Sequence, residues 1–531
     1  MWRKNLFLLL GIGFFLSNCH FPSKRTELVQ MGLLRAGREI KTPTKVYLKD
    51  GTIILYQDGF KLTDNQISGK GQGYFLNHKS DEAQKDYSIS LGDIAAMTYH
   101  KAETQSGTVT GEVIMDITAL PLTYSAIYCL ICPKCCFGSC PTVYIRENGQ
   151  YLFCSELFSY SISPYMEADD LDLLVSDYSR KGEPLDVRVT NEALETHYIN
   201  EMTLLQVTHP KNTAVYPTSD NRLLLYRELR SPDEAKNSQG DDVLAQVAKT
   251  DQLGYRSPER LVGELKNGPY FDHIDLRFRV PPSTSRINLL LKAKNTLLST
   301  VLFYEIVLAS QGIDALGWIE KMNTDRDYAN FFQSVYRAFS GIAVKVRKGD
   351  EWIDIGKIKD MGPISYKYVA SVIPTYNQTD LWVRLEFIPD NFIFDGIFFD
   401  YKNEEAESRL SVEPVDCEAV FDSSGQRRED VLRLLREKDS LYLVTEPSDA
   451  YHFFYRTREV RDDEAVSFFI QSEGYYAEWL RGKWVREKSF SNYTFNLNDF
   501  AGTFRQLAES WLGSKKLMEE TFDKTRIPLR K

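Results

Sequence analysis

The sequence predicts a multidomain, predominantly β protein with a mixed α/β middle region. Its 531 residues are enough for about three or four domains of ~150 residues each. Hydrophobic residues make up 43% and aromatic residues 13%, which is a globular composition rich in strand-forming side chains. Short β-rich runs separated by turn residues recur along most of the chain, and their spacing favours several sheets.

Charge and motif content exclude several classes of function. There are 64 lysines and arginines against 74 aspartates and glutamates, a net charge of −10. The chain has no excess of basic residues of the kind that binds nucleic acid, so we predict no nucleic-acid partner. The sequence lacks a phosphate-binding loop, a dinucleotide fingerprint and a Gly-x-Ser-x-Gly elbow, so we predict no cofactor and assign no catalytic residues.

The N-terminus has the pattern of an export signal. Arg3 and Lys4 precede an uncharged apolar run at 6–16, which is followed by Leu16-Ser17-Asn18-Cys19. This pattern resembles a bacterial lipoprotein signal of the spirochaete type. The resemblance implies that residues 1–18 are removed and that Cys19 is acylated, with residues 19–42 as a tether. We therefore expect a lipid anchor in the outer membrane or at the cell surface, on either the outer or the periplasmic face.

Residues 43–101 predict a small β-domain. Two Asp-Gly pairs, Asp50-Gly51 and Asp58-Gly59, lie between short runs of β-forming residues. Such pairs are strong hairpin signals because both turn residues tolerate positive φ. The short strands and tight turns favour a barrel-like fold.

A cysteine-rich segment follows at 112–165. Its six cysteines are Cys129, Cys132, Cys135, Cys136, Cys140 and Cys154. An oxidising compartment favours disulfides, although six cysteines allow 15 pairings that sequence cannot distinguish. Two alternatives stay open: a metal site formed by Cys132, Cys135, Cys140 and Cys154, and thiol-redox chemistry through a Cys-x-x-Cys motif.

Three segments resemble a family of uncharacterised bacterial envelope proteins. They are CFGSCPTVY at 136–144, NEALETH at 191–197 and KNTLL at 294–298. The resemblance implies an envelope location and no known activity, so it carries no catalytic residue over to this chain.

The rest of the chain divides into three predicted regions. Residues 166–340 mix strands and helices, including a buried helix at 296–311 that Gly312 ends. Residues 341–410 show regularly spaced strands typical of a β-sandwich. Residues 411–531 predict a β-rich domain with a terminal amphipathic helix. From the strands of both regions we predict that the C-terminal half is sandwich-like.

Glu192, Glu195 and His197 are the strongest candidates for acid–base or metal chemistry. In a strand, Glu195 and His197 would point to the same face. A third metal ligand at suitable spacing is missing, so we predict that these side chains form a hydrogen-bonded anchor for the strand. Five aromatic residues favour core or rim positions of a β-sandwich over a sugar-stacking surface: Trp352, Trp382, Tyr475, Tyr476 and Trp479.

Together these observations predict a lipid-anchored envelope protein. Its leading function is that of a binding or scaffold module that recognises a protein or glycan ligand. The alternatives are a hydrolase of envelope polymers and a thiol-redox protein.

Overall fold

A computed structural model describes residues 24–28, 39–102 and 140–481, together with parts of 484–519. Short gaps lie at 64, 76–79, 82, 148, 177, 179–183, 265–270 and 402–407. The predicted signal peptide, Cys19, Cys129, Cys132, Cys135 and Cys136 lie outside the described residues. Within them, strands predominate and form six sheets, which confirms the predominantly β fold class.

The N-terminal sheet forms a half-barrel of eight strands. They are β1 (Lys24–Leu28), β2 (Glu39–Ile40), β3 (Thr44–Leu48), β4 (Ile53–Tyr56), β5 (Phe60–Leu62), β6 (Gln66–Tyr74), β7 (Lys85–Ser90) and β8 (Ile94–Ala102). Both Asp-Gly turns are confirmed, with φ of +89° at Gly51 and +80° at Gly59. A Cβ at Gly59 would lie 1.8 Å from the carbonyl oxygen of Ile40, so only glycine fits there. Strands β1 and β2 lie within the predicted tether at 19–42 and pair with β8 and β5.

The chain then enters a β-sandwich, which we call the host sandwich. Its first five strands are β9 (Thr142–Glu147), β10 (Gln150–Glu156), β11 (Asp170–Val175), β12 (Leu185–Thr190) and β13 (Glu195–Pro210). A short 3₁₀ turn, Pro164–Met166, separates β10 from β11. Strand β13 is 16 residues long and spans the sandwich from end to end.

Residues 214–401 form a second sandwich, the inserted sandwich. Its strands are β14 (Ala214–Pro217), β15 (Leu223–Tyr226), β16 (Glu234–Asn237), β17 (Asp272–Arg279), β18 (Arg286–Asn295), β19 (Ile342–Lys348), β20 (Glu351–Ile358), β21 (Lys367–Pro374), β22 (Asp380–Phe387) and β23 (Phe392–Tyr401). One sheet has the order β16-β17-β22-β19-β20 and faces the sheet β21-β18-β23 across an apolar core. Buried residues alternate with more exposed ones along β17, β19 and β22, as expected for a sheet with one buried face.

The helices connect these strands and cover one end of the inserted sandwich. They are α1 (Leu244–Val247), α2 (Glu259–Glu264), α3 (Leu298–Val301), α4 (Ala315–Thr324) and α5 (Arg326–Phe339). A π-helical turn, Leu302–Leu308, continues α3 and leads to a 3₁₀ segment, Ala309–Asp314. The helix predicted at 296–311 is confirmed, and the chain breaks from helical geometry at Gly312, where φ is +58°. The side chain of Asp325 caps α5 by accepting from the N–H of Tyr328.

After the insertion the chain returns to the host sandwich. It adds β24 (Ser411–Pro414), β25 (Cys417–Asp422), helix α6 (Glu429–Leu434), β26 (Leu443–Thr445), β27 (Ala450–Tyr455) and β28 (Glu464–Glu478). The two host sheets have the orders β10-β9-β12-β27-β25 and β11-β28-β13-β24. The predicted boundaries at 165/166, 340/341 and 410/411 therefore each separate strands that belong to one sheet, because strands distant in sequence pair with each other.

A central core joins the modules. Helices α3, α4 and α5, with the turns between α3 and α4, form what we call the helical layer. The core combines the buried side chains of this layer with three buried tryptophans, Trp479, Trp484 and Trp511. The described residues at 502–519 are helical, in line with the predicted terminal helix. None of the helices in the described part of the chain is long and apolar enough to cross a membrane.

The half-barrel docks on the host sandwich through a buried lysine. Lys45 is 4% exposed, and its Nζ donates a hydrogen bond to Oγ1 of Thr196 at 2.5 Å. The same ammonium lies 4.6 Å from the ring centroid of Trp479. Tyr74 packs edge-on against that ring and donates to the carbonyl oxygen of Pro447. These contacts fix the half-barrel beside the end of β28.

Candidate functional site

A cavity of about 100 Å³ lies where the host sandwich, the inserted sandwich and the helical layer meet. The host sandwich contributes residues before β9, after β10 and at the end of β28. The helical layer contributes α3, the π-helical turn and α5, and the inserted sandwich contributes the end of β18 and the segment after β20. The lining residues are Cys140, Glu156, Ser159, Tyr160, Ile162, Met166, Asn295, Ser299, Thr300, Phe303, Tyr304, Phe332, Tyr336, Asp360, Gly362, Pro363 and Tyr476.

Aromatic rings form much of this wall. Six of the lining residues are aromatic: Tyr160, Phe303, Tyr304, Phe332, Tyr336 and Tyr476. Phe332 and Tyr336 are four residues apart on α5, so they share a helix face, and their rings are nearly parallel at 14°. Trp318 on α4 packs edge-on against Phe332 and holds it in place. The wall is therefore set by packing between α4 and α5.

Asn295 at the end of β18 holds the opposite wall. Its Oδ1 accepts hydrogen bonds from the backbone N–H groups of Met361 and Gly362, at 2.7 and 3.1 Å. Its Nδ2 donates to Oδ1 of Asp360 at 3.0 Å. Asp360 also accepts from the hydroxyl of Tyr336 and the N–H of Gly341. One amide side chain thus fixes both the loop and the carboxylate beside the cavity.

Glu156 is the second carboxylate in the lining. It is 1% exposed, and its Oε2 accepts from the N–H of Ile364 at 3.1 Å. A Cβ at Gly362, where φ is +82°, would lie 3.0 Å from that oxygen. Glycine is needed here for the positive φ and for the close approach to the carboxylate.

Behind the aromatic wall lies a buried block of four polar side chains on adjacent strands. Glu195 pairs with Glu478 and His197 pairs with Tyr476 in the antiparallel register of β13 and β28. Because alternate residues of a strand share a face, all four side chains lie on one side of the sheet. His197 Nε2 is 2.8 Å from Oε1 of Glu195, and both side chains are fully buried. Of the four residues, Tyr476 lines the cavity.

Glu478 connects this block to the cavity wall. Tyr304 donates its hydroxyl hydrogen to Oε1 of Glu478, and Arg481 forms an ion pair with Oε2 at 2.7 Å. Burial raises the pKa of Glu478 well above its usual range, Arg481 lowers it and the neighbouring Glu195 raises it. Contact with the side chain of Glu195 is therefore one cause of the raised pKa of Glu478, after the larger effect of burial.

Cys140 lies in the cavity lining with its side chain buried. Burial raises the pKa of its thiol well above the usual range, and the carboxylates of Glu156 and Glu195 raise it further. The thiol is therefore protonated at neutral pH and is a poor nucleophile. The tyrosine hydroxyls behave alike, because burial raises the pKa of Tyr304, Tyr336 and Tyr476.

The remaining cysteine predictions are only partly within the described residues. Cys140, Cys154 and Cys417 are free thiols in the structure, so Cys140 and Cys154 are not bonded to each other. The partners proposed at Cys129, Cys132, Cys135 and Cys136 lie outside the described residues. Among the residues that are described, no group of three or more His, Cys, Asp or Glu side chains is arranged to hold a metal ion.

The structure brings two of the three residues at 192–197 together. Glu195 and His197 are paired as their alternation predicts, whereas Glu192 accepts hydrogen bonds from Tyr144 and Thr190. Sequence reasoning missed Tyr304, Asp360 and Glu478, since nothing local distinguishes them. Asn295 lies within the segment at 294–298 that resembles envelope proteins. That resemblance was the signal that could have pointed to Asn295 as a site residue.

The five aromatic candidates divide between core and surface. Tyr475, Tyr476 and Trp479 are buried. Trp352 and Trp382 are half-buried on the outer face of the inserted sandwich, where Arg384 and Arg277 lie over their rings.

Comparison with known proteins gives little further information. No family model and no curated protein matches this sequence. Among solved structures, the GH31 alpha-xylosidase from Xanthomonas citri aligns with 83% of this chain at 7% identity and a TM-score of 0.17. The alignment covers 38% of that enzyme's chain. A similarity at this TM-score supports no conclusion about fold or activity.

Proposed function

We propose that the protein is a lipid-anchored binding protein of the bacterial cell envelope, and that its cavity receives one small group of a ligand. The observation that carries this proposal is the aromatic-walled cavity of about 100 Å³ at the junction of the modules. Sites for drug-sized ligands usually enclose roughly 300–1,000 Å³. The cavity therefore suits a single ring or side chain better than a length of polymer.

The chemistry of the lining supports binding over catalysis. The thiol and the hydroxyls keep their protons at neutral pH because burial raises their pKa values. Glu478 accepts a hydrogen bond from the hydroxyl of Tyr304, and the carbonyl oxygen of Ser159 accepts one from Tyr476, so both rings are held in position. Such a fixed wall reduces the entropy lost when a ligand binds.

A hydrolase is the second candidate function, because two carboxylates, Glu156 and Asp360, line the same cavity. Paired carboxyl groups are the usual machinery for cleaving glycosidic bonds. If this function were correct, Glu156→Gln and Asp360→Asn would each abolish turnover of envelope glycans while the fold persisted. Turnover by both variants at the parental rate would eliminate the hydrolase.

The binding function can be tested with a fragment library and saturation-transfer NMR. Thr300→Phe fills the cavity from its helical wall, and Thr324→Phe adds the same ring at an exposed site on α4. We expect fragments to bind the parent and Thr324→Phe, and to lose binding in Thr300→Phe. An unchanged set of bound fragments in Thr300→Phe would show that the cavity is not the site.

The lipid anchor rests on the sequence pattern at 16–19 and needs its own test. Cys19→Ala is expected to release the protein from the membrane fraction, whereas Cys417→Ala should leave it there. Equal membrane partitioning of Cys19→Ala and the parent would refute lipidation.

A further inference from the structure

We propose that the cavity selects a methylated ammonium group, such as the head of a choline-type cation. This inference rests on the proposed binding function and adds the ligand's chemical class. It comes from three features of the lining: its aromatic rings, its charge and its size.

The aromatic wall supplies the attraction. A cation over a ring face is attracted by the ring quadrupole, and several rings around one cation form the usual recognition site for quaternary ammonium groups. Two of the six rings already lie near cations of the chain. Lys359 Nζ is 5.3 Å from the centroid of Tyr160, and the guanidinium carbon of Arg481 is 5.6 Å from that of Tyr304.

The charge of the lining has the sign that such a ligand requires. Among the described residues, the lining holds two carboxylates and neither lysine nor arginine. Asp360 receives its hydrogen bonds from neutral donors: the amide of Asn295, the hydroxyl of Tyr336 and the N–H of Gly341. These bonds stabilise its negative charge without neutralising it.

Cations of the chain lie near the lining and have partners of their own. Arg481 pairs with Glu478 and Lys367 pairs with Asp172, each at 2.7 Å, and the ammonium of Lys367 also donates to the carbonyl oxygen of Glu156 at 2.9 Å. The ammonium of Lys357 donates to the carbonyl oxygen of Arg337 at 2.6 Å. Burial raises the pKa of the Cys140 thiol most, Glu156 and Glu195 raise it further, and Lys367 lowers it.

The cavity is large enough for the group. One water molecule needs about 10–15 Å³ of such cavity volume, so about 100 Å³ admits several non-hydrogen atoms. A trimethylammonium head has one nitrogen and three methyl carbons. A bare metal cation would instead need a shell of oxygen ligands, for which aromatic walls are poor partners.

The test compares choline with dimethylbutanol, its uncharged isostere in which carbon replaces nitrogen, by isothermal titration calorimetry on the folded protein. We expect choline to bind about tenfold more tightly than the isostere, a difference of ~1.4 kcal/mol that desolvated cation–π contacts can supply. Equal affinities would overturn the cation inference and leave the binding function intact. If neither compound binds, and if Thr300→Phe binds the same fragments as the parent, both the cation inference and the proposed binding function are overturned.

Two substitutions on α5 provide matched variants. Phe332→Leu removes one aromatic face from the cavity, and Phe331→Leu makes the same change at the neighbouring position, where Phe331 is 45% exposed. We expect Phe332→Leu to weaken choline about fivefold and to leave the isostere within about twofold, whereas Phe331→Leu changes neither. An equal loss for both compounds in Phe332→Leu would assign the ring a purely steric role and contradict the inference.

The head group can come from a free cation or from a lipid, and vesicles distinguish these sources. If the protein binds free choline but binds phosphatidylcholine vesicles no more tightly than phosphatidylglycerol vesicles, the ligand is a soluble cation. Binding to phosphatidylcholine vesicles that choline competes away would identify the lipid head. Either result supports the inferred chemistry, and the absence of both contradicts it.

Discussion

Replacing Asp390 by asparagine should release the C-terminal helix. Asp390 is fully buried and accepts hydrogen bonds from Arg256 Nε at 2.8 Å and from the indole N–H of Trp511 at 2.7 Å. Lys515 lies 2.8 Å from the same carboxylate. Two cations and an indole thus depend on one negative charge, and two of these three groups belong to the terminal helix.

The size of the effect follows from the burial of these groups. Removing one partner of a buried ion pair costs roughly 3–5 kcal/mol, because the other charge stays buried without compensation. Arg256 keeps its pair with Glu519 and is about a quarter exposed, and asparagine can still accept one hydrogen bond. We therefore expect Asp390→Asn to lower the free energy of unfolding by about 3 kcal/mol, at the low end of that range.

Urea unfolding followed by tryptophan fluorescence measures this loss, since Trp511 reports on the contact itself. Limited proteolysis should show earlier cleavage in the C-terminal helix. Asp350→Asn is the matched control, because Asp350 is fully exposed and should cause no measurable change. A loss below about 1 kcal/mol in Asp390→Asn would refute the view that this carboxylate holds the helix.

Three further predictions concern the site and the sheets. Asn295→Ala removes three hydrogen bonds from the 360–362 loop, so we expect a loss of about 3 kcal/mol in urea unfolding and weaker fragment binding; unchanged stability would contradict the anchoring role. Burial raises the pKa of Glu167 to about 7 from 4.5, so the protonated form contributes stability at pH 4.5 that is lost as the pH rises to 7. The free energy of unfolding of Glu167→Gln should therefore match that of the parent at pH 4.5 and exceed it at pH 7.5. A constant difference between the two proteins across this range would exclude Glu167 as the source of the pH dependence. A Cβ at Gly474 would lie 2.3 Å from the carbonyl oxygen of Tyr198, so Gly474→Ala should destabilise the host sandwich by at least about 2 kcal/mol, whereas Gly317→Ala, in open space on α4, should stabilise slightly. Thermal unfolding of the two alanine variants in parallel tests this contrast.

Local patterns predicted the elements that depend on local physics. The Asp-Gly turns of the half-barrel follow from the φ preferences of their residues, and the helix break follows from Gly312. The pairing of Glu195 with His197 follows from the two-residue period of a strand. Each of these features is encoded within a few residues.

The domain boundaries and most of the site are set by contacts between distant segments. Glu478 reaches Glu195 only because β28 pairs with β13 along its whole length. Tyr304 and Asp360 reach the same region from the inserted sandwich. No periodicity in the sequence encodes which strands become neighbours, so the insertion and the composite cavity could not be predicted from single segments.

The pairing of β13 with β28 also determines the order in which the protein can fold. A chain that emerges N-terminus first, from a ribosome or through a membrane, presents all strands of the half-barrel and of the inserted sandwich before β28 appears. The host sandwich can be completed only when β28 pairs with β13. Closing the long loop between these two strands is entropically costly and slow. The cavity takes residues from both sandwiches, Tyr476 of β28 among them, so it can form only after β28 has been synthesised. A truncated chain would consequently expose the unpaired β13 edge, which makes incomplete copies the ones most prone to aggregate.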